Sequence, residues 1–129
     1  MAVGVSTYLQ NKFLECLRGT TFSVATVYIQ MHTGDPGSAG TANVSGSCTG
    51  RKSITYGTAS GGIMSTTAGT TDWTSGAGSG VTLTHYSRWD ASSGGNFLGS
   101  AALDAPVLHS PGQAYHLGSD TWNITPKAA

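Results

Sequence analysis

Apolar residues between positions 6 and 18 recur every four residues as Leu9, Phe13 and Leu17, with Leu14 widening the stripe. That spacing lays them on one face of an α-helix. Ser6 or Thr7 supplies an N-cap hydroxyl, Arg18 puts a cation in the last turn, and Gly19 can take the left-handed position after it. The pattern predicts a helix over 6–18. Its apolar face must be covered, by an open sheet end or by a neighbouring molecule.

From Thr26 onward the period changes to two, which is the signature of half-buried strands. Val27, Ile29 and Met31 point one way, and Tyr28, Gln30 and His32 the other. A second strand is predicted over 51–57 with Ile54 and Tyr56 on one face, followed by short segments at Ile63-Met64 and around Trp73. In the strand over 81–89, Val81, Leu83, His85, Ser87 and Trp89 share one face, opposite Thr82, Thr84, Tyr86 and Arg88. Further strands are predicted over 97–103, 106–109, 114–117 and 121–125.

Turn chemistry separates these runs. His32, Asp35, Pro36 and Gly37 mark a tight turn, in which an imidazole–carboxylate hydrogen bond could brace the chain. Asp90, Gly94 and Gly95 mark another. The small residues of 38–50 read as a long glycine-rich arm. The expected fold is all-β: an antiparallel β-sandwich or jelly-roll-like barrel of seven to eight short strands with one N-terminal α-helix. The whole of 1–129 reads as one structural domain, with the sandwich over 24–126.

Composition adds an assembly argument. Charged residues are only 9% of the chain and the formal net charge is zero, while Gly, Ala, Ser and Thr supply just over half of it. Weak charge leaves little repulsion between neighbouring molecules. It also argues against nucleic acid, since Arg51-Lys52 is the only adjacent basic pair. No apolar run is long enough to span a bilayer, and residues 1–8 lack the pattern of a secretory signal, so no membrane partner is expected.

Catalytic chemistry is not indicated. His32, His85, His109 and His116 lack zinc-ligand spacing and read as surface or interface hydrogen bonders. Cys16 and Cys48 read as two free thiols. No G-x-S-x-G elbow is present, Asp90-Ala91-Ser92-Ser93 does not match a calcium loop, and the glycine runs lack a phosphate-binding context. Thus no catalytic residue, metal or cofactor is expected. Trp89, Phe97 and Trp122 read as core volume. Tyr28 and Tyr86, on faces opposite aliphatic rows, together with Arg51 and Arg88, are the candidate interface residues.

Two blocks carry a family resemblance. The first spans 28–37, from Tyr28 through His32-Thr33-Gly34-Asp35-Pro36-Gly37, and continues through Ala39-Gly40-Thr41-Ala42 and Val44-Ser45-Gly46. The second is Val81-Thr82-Leu83-Thr84-His85-Tyr86 with Asp90-Ala91, then Gly94-Gly95-Asn96-Phe97-Leu98. With the opening helix and the step from Leu103 to Val107, the chain resembles small phage virion proteins, tail-fibre-like, minor structural or decoration proteins, over nearly its whole length. Where that family follows V-S-G with an aromatic and Ala-Arg, this chain has Cys48-Thr49-Gly50-Arg51, retaining only the arginine.

The resemblance implies a non-enzymatic virion protein, assembled in the host cytoplasm, that self-associates as a trimer or ring and docks on capsid or tail proteins. Tail association is slightly favoured over a capsid decoration or cement role. Exposed aromatics leave a carbohydrate-binding module contacting host glycans as an alternative.

Overall fold

The computed structural model describes residues 3–74 and 80–124. Most of the glycine-rich turn expected at 75–80 and the end of the final strand at Thr125 lie outside them. The elements in order are α1 (Thr7–Cys16), β1 (Val27–His32), β2 (Lys52–Tyr56), β3 (Ile63–Ala68), β4 (Trp73–Thr74), β5 (Val81–Trp89), β6 (Phe97–His109), β7 (Ala114–Tyr115) and β8 (Thr121–Asn123). The fold is all-β with one N-terminal helix, as the alternating pattern predicts.

Six strands form one antiparallel sheet in the order β6-β5-β1-β2-β3-β8, and β4 pairs with β7 in a second, two-stranded sheet. The large sheet curls until the start of β8 meets β5. There Arg88 reaches Asp120 and the Thr121 carbonyl. The core inside this near-barrel is Ile29, Met31, Cys48, Ile54, Trp73, Leu83, Tyr86 and Leu117.

One register detail decides which face of β5 is internal. Ile29 and Met31 lie opposite Arg88 and Tyr86, so these four project to the same side. Between Leu83 and His85 the pairing slips: Leu83 sits opposite Val107 but His85 opposite Ala102. Residues 103–106 of β6 therefore face Thr84 alone, a bulge that resets the alternation. Leu83 and Tyr86 consequently enter the same core despite their odd separation. Pro106 falls in this irregular stretch, where its missing N–H costs no ladder bond. The two strands expected over 97–103 and 106–109 are thus one bulged strand.

Helix α1 is shorter than the periodicity predicts. Ser6 caps it by accepting from the Leu9 N–H at 3.1 Å. Its own hydroxyl donates to the Phe97 carbonyl at 2.6 Å, fastening the helix start to β6. Gly19, at φ +90°, lets the Thr20 N–H return to the Glu15 carbonyl and end the helix. Of the apolar stripe only Leu9 is buried. Phe13, Leu14 and Leu17 stay exposed.

The arm at 38–50 folds back along β1. Thr33 N–H donates to the Asn43 carbonyl at 2.8 Å and Ser45 N–H to Met31 at 3.0 Å. Gly40 packs so closely on Phe97 that a Cβ there would lie 2.4 Å from the ring, and its φ is +74°. Only glycine fits both conditions.

Candidate functional site: polar pins within, an apolar groove without

Asp120, in the loop before β8, is fully enclosed and collects donors from two strands, β5 and β2. Arg88 Nε donates to Oδ2 at 2.7 Å and Arg88 Nη2 to Oδ1; Tyr86 donates to Oδ1 at 2.5 Å and Tyr56 to Oδ2. The Trp122 ring lies 4.1 Å from the guanidinium carbon of Arg88, capping the pair by cation–π contact. Burial alone would raise the Asp120 carboxyl, but the bonds and charge of Arg88 and the two phenols hold it below its usual value. Burial, and then the charge of Asp120, push both tyrosines upward, so they remain protonated donors. This cluster ties β5, β2 and the β8 end of the curled sheet together.

Two buried histidines pin the arm. Trp89 Nε1 donates to Ser87 Oγ at 2.7 Å, and because Nδ1 of the neutral His32 ring faces a carbonyl and must donate, the Ser87 hydroxyl donates to His32 Nε2 at 2.7 Å. His32 Nδ1 then donates to the Ala42 carbonyl, also at 2.7 Å. Burial lowers the His32 pKa from its ordinary value, favouring this neutral tautomer. His109 Nε2 donates to the Gln113 carbonyl at 2.7 Å, and its Nδ1 meets the Ser47 hydroxyl at 2.8 Å. Cys48 Sγ lies 3.5 Å from the same Nδ1. That spacing suits a thiol–imidazole pair, but burial raises the Cys48 thiol and no solvent reaches it. It is a packing group. Cys16 is exposed and both thiols are free.

Several expectations need correction. His32 and His109 are wholly buried rather than surface groups. Both ring nitrogens of His32 go to Ala42 and Ser87, so it does not brace the turn through Asp35. That turn is held by Asp35 Oδ1 accepting from Gly37 N–H at 2.8 Å, with Gly37 at φ +79° and Pro36 buried. Tyr86 and Arg88, expected at an interface, are 7% and 4% exposed. The pairing with β1 puts them on the inner face, and Asp120 satisfies their polar ends.

Arg51 is half-buried and directed at its own chain. It donates to the carbonyls of Ala91 at 2.9 Å and Gly94 at 2.7 Å, and stacks 3.9 Å over Trp89. It thereby clamps the Asp90 turn, where Asp90 accepts from Asn96 N–H at 2.7 Å and Gly94 and Gly95 take positive φ. Tyr28 is half-buried on the outer side of β1, and of the four interface candidates it alone makes no side-chain hydrogen bond among the described residues. Among the described residues no group of His, Cys, Asp or Glu is arranged to hold a metal.

Sequence reasoning missed Asp120. A usable signal was present: an arginine flanked by Tyr86 and Trp89 within a strand of a charge-poor chain needs a buried acid.

Outside this shell lies an apolar groove of about 610 Å³ between α1, residues 22–27, β2, β3 and β8. Leu9, Phe13, Val24, Ile63, Trp122 and Ile124 are among its walls, and among the described residues no charged one lines it. Ile63 and Ile124 on its rim are 44% and 58% exposed.

The fold is a curled all-β shell fastened by buried polar clamps, with an uncovered apolar groove beside its helix. Residues 4–125 match the family model described as Podophage GP4 fiber I protein gp80, and the chain belongs to that family. It is a virion-associated phage structural protein and not an enzyme. No curated protein matches the chain significantly.

Proposed function

We propose that this protein is a tail-associated fibre subunit that self-associates as a trimer or ring and docks on neighbouring virion proteins. The observation that carries this reading is the contrast between a closed polar interior and an open apolar groove. Polar side chains that would ordinarily dress a surface are consumed inside. The outer face keeps large aliphatic side chains instead, which is the character of an interface awaiting a partner. Assembly takes place in the host cytoplasm, where subunits meet before the particle is complete.

Imaging of particles bearing a label on this chain tests the location. Density on the tail supports the reading, whereas density spread over the head favours a capsid decoration role. Glycan contact has weaker support. Trp73, Trp89 and Tyr86 are buried and Trp122 lies against Arg88, which leaves Tyr28 as the aromatic among the interface candidates open to a sugar.

A further inference from the structure

The loop over 37–44 hangs between two buried anchors, Pro36 and Ser45, and within it only Gly40 is buried. Among the described residues, three contacts clasp it to the strands below. Gly40 packs on the Phe97 ring, the Asn43 carbonyl accepts from the Thr33 N–H, and the Ala42 carbonyl accepts from His32 Nδ1. The last clasp depends on the protonation of one ring. The Ser87 hydroxyl has a single hydrogen, which it gives to His32 Nε2 while accepting from Trp89 Nε1. A proton added at Nε2 sets two N–H donors against one oxygen and leaves the hydroxyl hydrogen without its acceptor. In a buried site that loss is costly, whereas water would make it good. The surrounding charges act in the same direction. His85 of β5 stands opposite His32 and Arg51 lies at the far end of the arm, and both disfavour a cation on the ring. β6 places the uncharged Ser100 and Ala102 opposite Ser87 and His85. At the root of the loop, the Asp35 carboxylate accepts from the Gly37 N–H.

We propose that residues 37–44 form an acid-opened flap, latched by the neutral His32 ring and released when that ring takes up a proton. Opening lifts Ala42 off the imidazole, which then reaches water. It also lifts Gly40 off Phe97, so an aromatic surface beside Trp89 becomes available on the outside of the shell. The shell itself stays shut, because the Asp120 clamp fails only in the more acidic range below 3.8. Burial holds the latched ring below 6.5, and the released ring returns to that value. The opening equilibrium therefore grows about tenfold for each pH unit below 6.5, until the latched ring is itself protonated.

Native-state hydrogen exchange on the full chain, from about pH 7 to about pH 4.5, tests the flap. The Thr33 N–H, bonded to the Asn43 carbonyl, reports the clasp. Its exchange, corrected for the intrinsic rate at each pH, is expected to quicken about tenfold per pH unit below 6.5 while the β5 amides keep their protection. In His32→Gln the side-chain amide can donate to Ala42 and accept from Ser87 without titrating, so the slope should vanish. His85→Gln should keep it. The wild type supplies a check that needs no variant: the His32 ring, followed by NMR, should titrate over the same pH range as the loss at Thr33. Thr33 exchange that is indifferent to pH overturns the flap, as does a slope that survives His32→Gln or disappears in His85→Gln. Loss of the β5 amides in step with Thr33 overturns it too, since the whole shell would then be opening. So does a His32 ring that titrates outside the range of the Thr33 loss.

Discussion

The two halves of this molecule use polarity in opposite ways. Around Asp120 a carboxylate, a guanidinium and two phenols are buried together and satisfy one another. Beside α1, leucine, phenylalanine and isoleucine side chains stand exposed around a groove that no charged group lines among the described residues. A chain with few large aliphatic residues cannot close a curled sheet by burial alone. Directional bonds fasten the ends of the sheet, and that leaves several apolar residues free for contact with other molecules. The lesson is that strand alternation alone assigns some of such a protein's residues, Tyr86 and Arg88 here, to the wrong side of its surface.

The hardest way to break the polar half is Asp120→Ala, which leaves Arg88 buried without its counter-ion. Urea unfolding should register a loss of about 3–5 kcal/mol. Replacing both members, Arg88→Met with Asp120→Leu, should cost less than Asp120→Ala alone, and a double-mutant cycle would expose the coupling. If the single and double changes are equally costly, the clamp is not the fastening that closes the sheet.

Gly40→Ala comes next. A Cβ against the Phe97 ring, at positive φ, should cost about 1–3 kcal/mol. Hydrogen exchange should show the loss concentrated at the amides of Ala42 and Ser45, which bind the arm to the rest of the chain.

Acidification separates the pins in sequence. The folded His32 pKa lies below its ordinary 6.5, so as pH falls through 6.5 the unfolded chain gains a proton that the folded chain refuses. Stability declines from there until the lower folded value is passed. Asp120 is depressed below its ordinary 3.8, and its contribution, complete above that value, is lost as pH falls further through the folded value. Thermal melts across this range should show two declines, the upper one removed in His32→Gln.

The smallest expected effect sharpens the comparison from the other side. Leu17→Glu, at an exposed helix end, should change monomer stability by no more than about 0.5 kcal/mol. A large loss in the isolated monomer would mean that this leucine supports the fold rather than a contact surface.

Much of the fold was legible because strand periodicity and turn chemistry are local. Val27, Ile29 and Met31 announced β1, and the glycines at 94 and 95 marked the turn between β5 and β6. Trp89 and Phe97 were read as core volume, and their rings do pack at 5.4 Å. Arg88 and Tyr86 were noticed for the wrong role, because alternation extended across residue 84 sends them outward. The bulge opposite Thr84 depends on how β6 pairs, and nothing in the β5 sequence records it.

By itself, then, the sequence determined the strand and helix content, the principal turns and the family, since each depends on residues near one another in the chain. Tertiary structure decided which face of β5 is internal, that two histidines and an aspartate are buried fastenings, and that most of the helix's apolar stripe is left uncovered. Those outcomes depend on partners brought together across tens of residues, such as Arg88 with Asp120 and His32 with Ser87. Pairing register selects such partners, and local periodicity carries no record of it.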